Sequence, residues 1–137
     1  MSYDNKKVAD YINEVVGKPW RAGATGADAY DCWGLVVDSY RRIDGIKLPP
    51  LESYSKLDLV NGINEAMAVG KWHKLNEPID GCVIACFKGG KLDHVGRYFF
   101  GEMLHSRGKV DSDGEVCMWT MELTARQFDK LEFYAWR

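Results

Sequence analysis

Three side chains that can act together fall in order along this chain: Cys32 in "AYDCWGLVV", His94 in "KLDHVGRYFFG" and His105 in "EMLHSRG". Cys32 stands where a strong helical pattern begins. A helix N-terminus offers unpaired amide donors and positive partial charge, both of which favour a thiolate. The same amides can receive an oxyanion when that thiolate attacks a carbonyl. Such a nucleophile needs a base, and the base needs an orienting group. His94 and His105 occupy consecutive strand patterns, so a hairpin sets them side by side. His94 can then hold the Cys32 proton while His105 fixes the His94 ring through its other nitrogen. The competing reading makes Cys32 a small buried hydrophobe, since free cysteine is commonly buried. His73, beside Trp72 on an expected edge strand, reads as surface or structural. Cys82, Cys86 and Cys117 read as buried packing, and the spacing of Cys82 and Cys86 is unlike the CxxC pairs of zinc sites.

The elements that must position these residues run helices first and strands afterwards, which predicts an α+β fold. Val8, Ile12, Val15 and Val16 recur at helical spacing, and Gly17-Lys18-Pro19 ends that helix. The loop "RAGATGADAYD" leads to a second helix carrying Cys32, Leu35, Val36, Tyr40 and Ile43, stopped by Gly45 and Pro49-Pro50. Leu57, Val60, Ile63 and Met67 predict a third helix near residues 56–69. "KWHKL" suggests an edge strand, and "GCVIACFK", "KLDHVGRYFFG" and "EMLHSRGKV" an antiparallel meander turned by Gly89-Gly90. "EVCMWTMEL" is a further strand, "TARQFDK" is a helical turn, and "LEFYAWR" closes the chain as a strand. A sheet of five or six strands packed on the Cys32 helix is the simplest assembly.

The 137 residues suit a single domain, residues 1–137, without repeats or linkers. A net charge of -2 leaves no basic footprint, so neither nucleic acid nor a polybasic membrane contact is favoured. No apolar run reaches signal-peptide or membrane-spanning length. The expectation is synthesis in a cytosol, no membrane insertion, and export only by lysis, a particle or a dedicated machine. The lack of a signal peptide also argues against a disulfide framework.

"GKPWRAGATGADAYDCWGLVVDSYRR" resembles the opening block of the NlpC family of papain-like cysteine peptidases, which are cell-wall endopeptidases. That block is an aromatic-Arg-x-Gly loop leading to Asp-Cys-x-Gly-Leu-Val. "DHVGRYFFGEMLHS" is similar to the family's His-Val-Gly-x-Tyr hairpin, with the third polar residue in the following strand. The resemblance runs through roughly residues 5–136. The Cys-Trp-Gly-Leu version, the short length and the closing "FYAWR" are most similar to the phage and prophage branch, with its tail-tip peptidases.

The resemblance implies a papain-like, NlpC-type fold with N-terminal helices on an antiparallel sheet. It implies Cys32 as nucleophile, His94 as base and His105 as orienting third member. Asp31 matches the acid that binds the free amine of an L-Ala–D-Glu stem peptide, and Trp20 takes the place of the usual substrate-lining tyrosine. The implied reaction is cleavage of the D-γ-glutamyl–diamino acid bond of peptidoglycan through a thioester, with no metal or organic cofactor. The implied partners are the stem peptide and phage tail proteins.

Three positions depart from the family pattern. Trp33 replaces a serine and is expected to reshape the cleft, as a further substrate-binding residue. Gly81-Cys82 replaces Gly-Asp. Arg97 replaces an apolar residue on a strand face that alternation predicts to be buried. It must find an acidic partner, snorkel at a sheet edge, or contact an interface or substrate. Two other functions fit the same residues. One is a non-enzymatic tail-tip assembly module that docks through exposed aromatics near Trp119 and Trp136. The other is a related Cys-His amidase toxin, acyltransferase or thioesterase.

Overall fold

The periodicities of the sequence resolve into an α+β arrangement in the computed structural model, which describes residues 3–48, 72–109 and 112–136. The helix expected near residues 56–69 and the Pro49-Pro50 stop lie outside the described residues. Helix α1 (Asn5–Val15) starts where the Asp4 carboxylate accepts from the amides of Lys6 and Lys7. It buries Val8, Tyr11 and Val15, while Val16 is its exposed C-cap and not part of the apolar stripe. Helix α2 (Cys32–Ser39) starts at Asp31 and continues as a π-helical segment, Tyr40–Asp44, which Gly45 ends at a φ of 70°. The loop between α1 and α2 folds back on itself through two short strands, β1 (Thr25–Gly26) and β2 (Ala29–Tyr30).

Six further strands form one antiparallel sheet: β3 (Trp72–Leu75), β4 (Val83–Lys88), β5 (Lys91–Phe99), β6 (Glu102–Lys109), β7 (Ser112–Thr120) and β8 (Lys130–Trp136). The spatial order is β3-β8-β4-β5-β6-β7. The expected meander therefore holds from β4 to β6, the further strand β7 continues it, and β3 is the expected edge. The closing strand does not extend the meander; it returns to insert between β3 and β4. The strand carrying "EVCMWT" also stops earlier than its pattern suggests. Thr120 caps helix α3 (Met121–Gln127) by accepting from the Leu123 amide, so Met121 to Leu123 become helix.

Alternation gives the sheet two unlike faces. One carries Val83, Ala85, Val95, Phe99, Leu104 and Val116 against α1 and α2. The other carries Ile84, Cys86 and Met103 beneath Met121, Phe128 and Leu131. Burying a side chain such as Leu35 or Val8 on the helical face contributes about 1.5–3 kcal/mol.

Arg97 faces the helices and is 1% exposed, far from any edge-strand snorkel. Its acidic partner is Asp44, 2.8 Å away at the end of the π segment. The guanidinium also donates to the Gly81 carbonyl at 2.7 Å and 3.1 Å, to Ser39 Oγ and to the Tyr3 hydroxyl, and lies 3.7 Å over the Tyr40 ring.

Candidate active site

Asp31 is the N-cap of α2. One carboxylate oxygen accepts from the Gly34 amide at 2.6 Å and the other from the Gly23 amide at 2.8 Å. This ties the 21–26 loop to the first turn of the helix. Gly34 is needed there: a Cβ at this position would stand 2.0 Å from the Ala24 carbonyl oxygen. Asp31 itself has no solvent-exposed surface.

Cys32 follows in the first turn, 4% exposed, and belongs to the core cluster with Val36, Ala85 and Val95. Burial pushes its thiol up to about 12, and the Asp31 charge adds to this. The backbone amides of Val95, Trp33 and Cys32 itself pull the other way. The Val95 amide is informative because Val95 directly follows His94. The β5–β6 ladder pairs Arg97 with Leu104, Tyr98 with Met103 and Phe99 with Glu102, and ends there although both strands continue. The opened seam is where Cys32 meets β5 from the helical side.

The histidines flank the same seam from the opposite face. His94 Nε2 lies 2.8 Å from His105 Nδ1. The hairpin expected from the sequence therefore brings the two rings together. Gly96 permits this: a Cβ there would press within 2.9 Å of His105 Cβ and 2.6 Å of the Leu104 carbonyl oxygen. The His94 ring stacks on Phe128, with centroids 5.9 Å apart and planes 9° apart. Trp119 meets His105 edge-on at 4.5 Å. Burial lowers His94 to about 4, helped by the charges of Arg107 and Lys88. Burial likewise lowers His105 to about 2, with His94 and Arg107 adding to it. Both rings are neutral at neutral pH.

Among the described residues no hydrogen bond joins Cys32 Sγ to a histidine. This conformation therefore holds a protonated thiol and neutral imidazoles, not a thiolate–imidazolium pair.

A cleft of about 770 Å³ opens over the histidine pair, bounded in part by Lys88, Asp93, Arg107, Glu115 and Phe128. Trp20 packs on two glycines, Gly108 and Gly114, that line it. Its amide donates to the Gly114 carbonyl, and its ring lies so close to Gly108 that a Cβ there would come within 2.5 Å. Trp20 thus touches residues of the cleft wall without being among the residues that line it.

Trp33 does not adjoin it. It is 1% exposed and packs edge-on against Trp72 within the helical-face core. In an α-helix the residue after Cys32 is turned about a quarter of the way round the axis, away from the thiol's face. Trp119 lines the cleft and Trp136 packs on Trp72 at 5.0 Å; both are partly buried. His73 is exposed on the edge strand, as expected.

Cys117 is the residue the sequence reading missed. It is only partly buried, it lines the cleft, and its Sγ lies 3.4 Å from His105 Nε2. The available signal was register, since Cys117 is the cross-strand partner of His105. Among the described residues no group of three His, Cys, Asp or Glu side chains is arranged to hold a metal ion. No helix among them is long and apolar enough to cross a membrane.

The sequence profile of the NlpC/P60 family matches residues 17–125, a span that includes Cys32, His94 and His105. No curated protein matches the chain. Among solved structures, the fold is similar to the NlpC/p60 domain of the peptidoglycan hydrolase SagA. That likeness has a TM-score of 0.64 at 13% identity and covers 98% of this chain and 99% of that one.

Proposed function

The chain belongs to the NlpC/P60 family, and from that premise we propose that it is a cysteine endopeptidase acting on peptidoglycan stem peptides. Cys32 is the nucleophile, His94 the base and His105 the residue that orients it. The scissile bond is the one between D-γ-glutamate and the diamino acid, and Asp31 and Trp20 belong to the substrate side of the site.

The observation that carries this reading is the 2.8 Å bond from His94 Nε2 to His105 Nδ1. It occupies one nitrogen of His94 and leaves Nδ1 for the thiol proton. Cys32 lies against β5 at the next residue, at the N-terminus of a helix whose amides are suited to an oxyanion. The high thiol pKa and the low imidazole pKa favour general-base catalysis, in which the proton leaves sulfur as the carbon–sulfur bond forms. The tetrahedral intermediate then collapses to a thioester as His94 returns the proton to the departing amine. Water, deprotonated by His94, releases the acid.

Incubation of the purified chain with stem tripeptides, followed by mass spectrometry, tests the reading. Cleavage that Cys32→Ala abolishes is the expected result. Equal cleavage by that variant removes Cys32 from the role.

The closing aromatic strand and the Cys-Trp-Gly sequence further support a place in the phage-tail branch, with delivery on a particle or release by lysis. The buried thiol favours a second reading, a tail-tip module that retains the fold without the activity. A Cys32 thiol inert to iodoacetamide, together with stable binding to tail proteins and no peptide cleavage, would select it.

A further inference from the structure

β7 brings a second thiol to the histidine pair, and the catalytic reading above leaves it without a task. Cys117 Sγ, His105 and His94 stand in single file: sulfur 3.4 Å from His105 Nε2, and His105 Nδ1 2.8 Å from His94 Nε2. The protons in this file are constrained. A neutral imidazole carries one N–H, and the bond between the rings holds one proton.

Two arrangements are possible. In one, His105 Nδ1 donates to His94 Nε2. His94 then bears its own proton on Nδ1 and cannot accept another there, while His105 Nε2 is bare and receives the Cys117 S–H. In the other, His94 Nε2 donates to His105 Nδ1, and His105 Nε2–H donates to the Cys117 sulfur. His94 Nδ1 is then bare and ready to act as a base.

The surroundings favour the second arrangement. Among the described residues no acceptor meets His94 Nδ1, so the first arrangement leaves an N–H without a protein partner. The second gives both imidazole N–H groups an acceptor, and orphaned N–H donors are the rarer kind of unpaired group in folded proteins.

We propose that Cys117 is a positioning residue whose sulfur accepts from His105 Nε2–H and thereby keeps His94 in the tautomer that can take a proton. This rests on the reading of His94 as the base. It adds a fourth member to the site: the sulfur acts on His105, His105 on His94, and His94 on the reacting thiol.

The experiment is tautomer assignment by ¹⁵N NMR of both histidines in the full chain, alongside kcat and KM on a stem tripeptide, for the parent, Cys117→Ala and Cys117→Ser. The parent should show Nε2–H on both rings. Cys117→Ala should mix the tautomers and lower kcat by about threefold to tenfold, the worth of one neutral hydrogen bond, with KM unchanged. Cys117→Ser, which keeps an acceptor in place, should recover both the tautomer and kcat. A parent with His94 protonated on Nδ1, or tautomers and kcat unchanged in a folded Cys117→Ala, would overturn the proposal. If no variant cleaves the peptide, the endopeptidase reading fails. The tautomer spectra still decide what Cys117 does to the pair.

Discussion

Arg97 and His94 lie on the same strand, Arg97 turned to the helices and His94 to the cleft, and the polar clusters around them differ in kind. Arg97 is charged, fully buried and bonded on every side: Asp44, Gly81, Ser39 and Tyr3 take its N–H groups, and Tyr40 covers its face. The Tyr3 hydroxyl completes the ring by donating to Asp44 at 2.5 Å. The His94 cluster is neutral and half open to the cleft, and it is joined by bonds that can run in either direction. A saturated cluster fixes the backbone. A cluster with a proton to spare can do work, provided something else holds it still. On β5 the first kind lies close along the strand to the second and braces it.

Substitutions can separate these two roles. The largest effect expected is on activity. Cys32→Ala should reduce stem-peptide turnover by about 10⁴-fold or more while leaving the urea midpoint nearly unchanged. Next, Asp44→Ala should cost about 3–5 kcal/mol in urea denaturation, because it strands a buried charge. The folded fraction should keep its kcat. If that variant instead loses kcat at unchanged stability, the division between brace and site is wrong. His105→Ala should lower the kcat of the folded fraction by about 10- to 100-fold, over and above the stability that truncating its buried ring costs.

The smallest effect is graded with pH. His94 and His105 titrate below the ordinary histidine value of 6.5, near 4 and near 2, because burial disfavours the imidazolium. The unfolded chain therefore binds protons that the folded chain refuses. Their contribution to stability is full above pH 6.5 and drains away as the pH falls, toward 4 for His94 and on toward 2 for His105. Urea midpoints between pH 6.5 and 4 should show the slope, and His94→Gln should roughly halve it, since the buried His105 still refuses its proton. Arg97 is charged throughout the range and adds no slope. In kcat/KM, the acid limb should lie well below 6.5, with no falling limb by pH 9, since the Cys32 thiol is held near 12. A bell with both limbs inside pH 5–9 would show that substrate-free enzyme forms the thiolate–imidazolium pair after all.

The α+β class, the β4–β6 meander and the approach of His94 to His105 could be read from the sequence, because each follows from local periodicity and a short hairpin. Arg97 was half legible. Alternation turned it inward, but its partner is fixed by a π-helical segment that has no sequence signature. Trp33 misled because adjacency in sequence to Cys32 is not adjacency in space on a helix. Cys117 was hidden because its meaning depends on β6–β7 register, and a lone thiol on a strand otherwise reads as packing. The insertion of β8 was illegible for a related reason: nothing in "LEFYAWR" says which strands it will part.

That insertion orders the assembly of the molecule. β4–β5, β5–β6 and β6–β7 are hairpins between neighbours in sequence, whereas β3 must wait for β8 to close a long loop. Trp72 on β3 and Tyr134 and Trp136 on β8 form the aromatic wall behind Trp33. A chain whose hairpins have formed but whose β8 is not yet seated already holds the paired histidines, while the helix bearing Cys32 lacks its backing. In folding time the histidine pair precedes the backing of the Cys32 helix, and on the proposed reading of the site its two halves meet only when the far side of the sheet is shut.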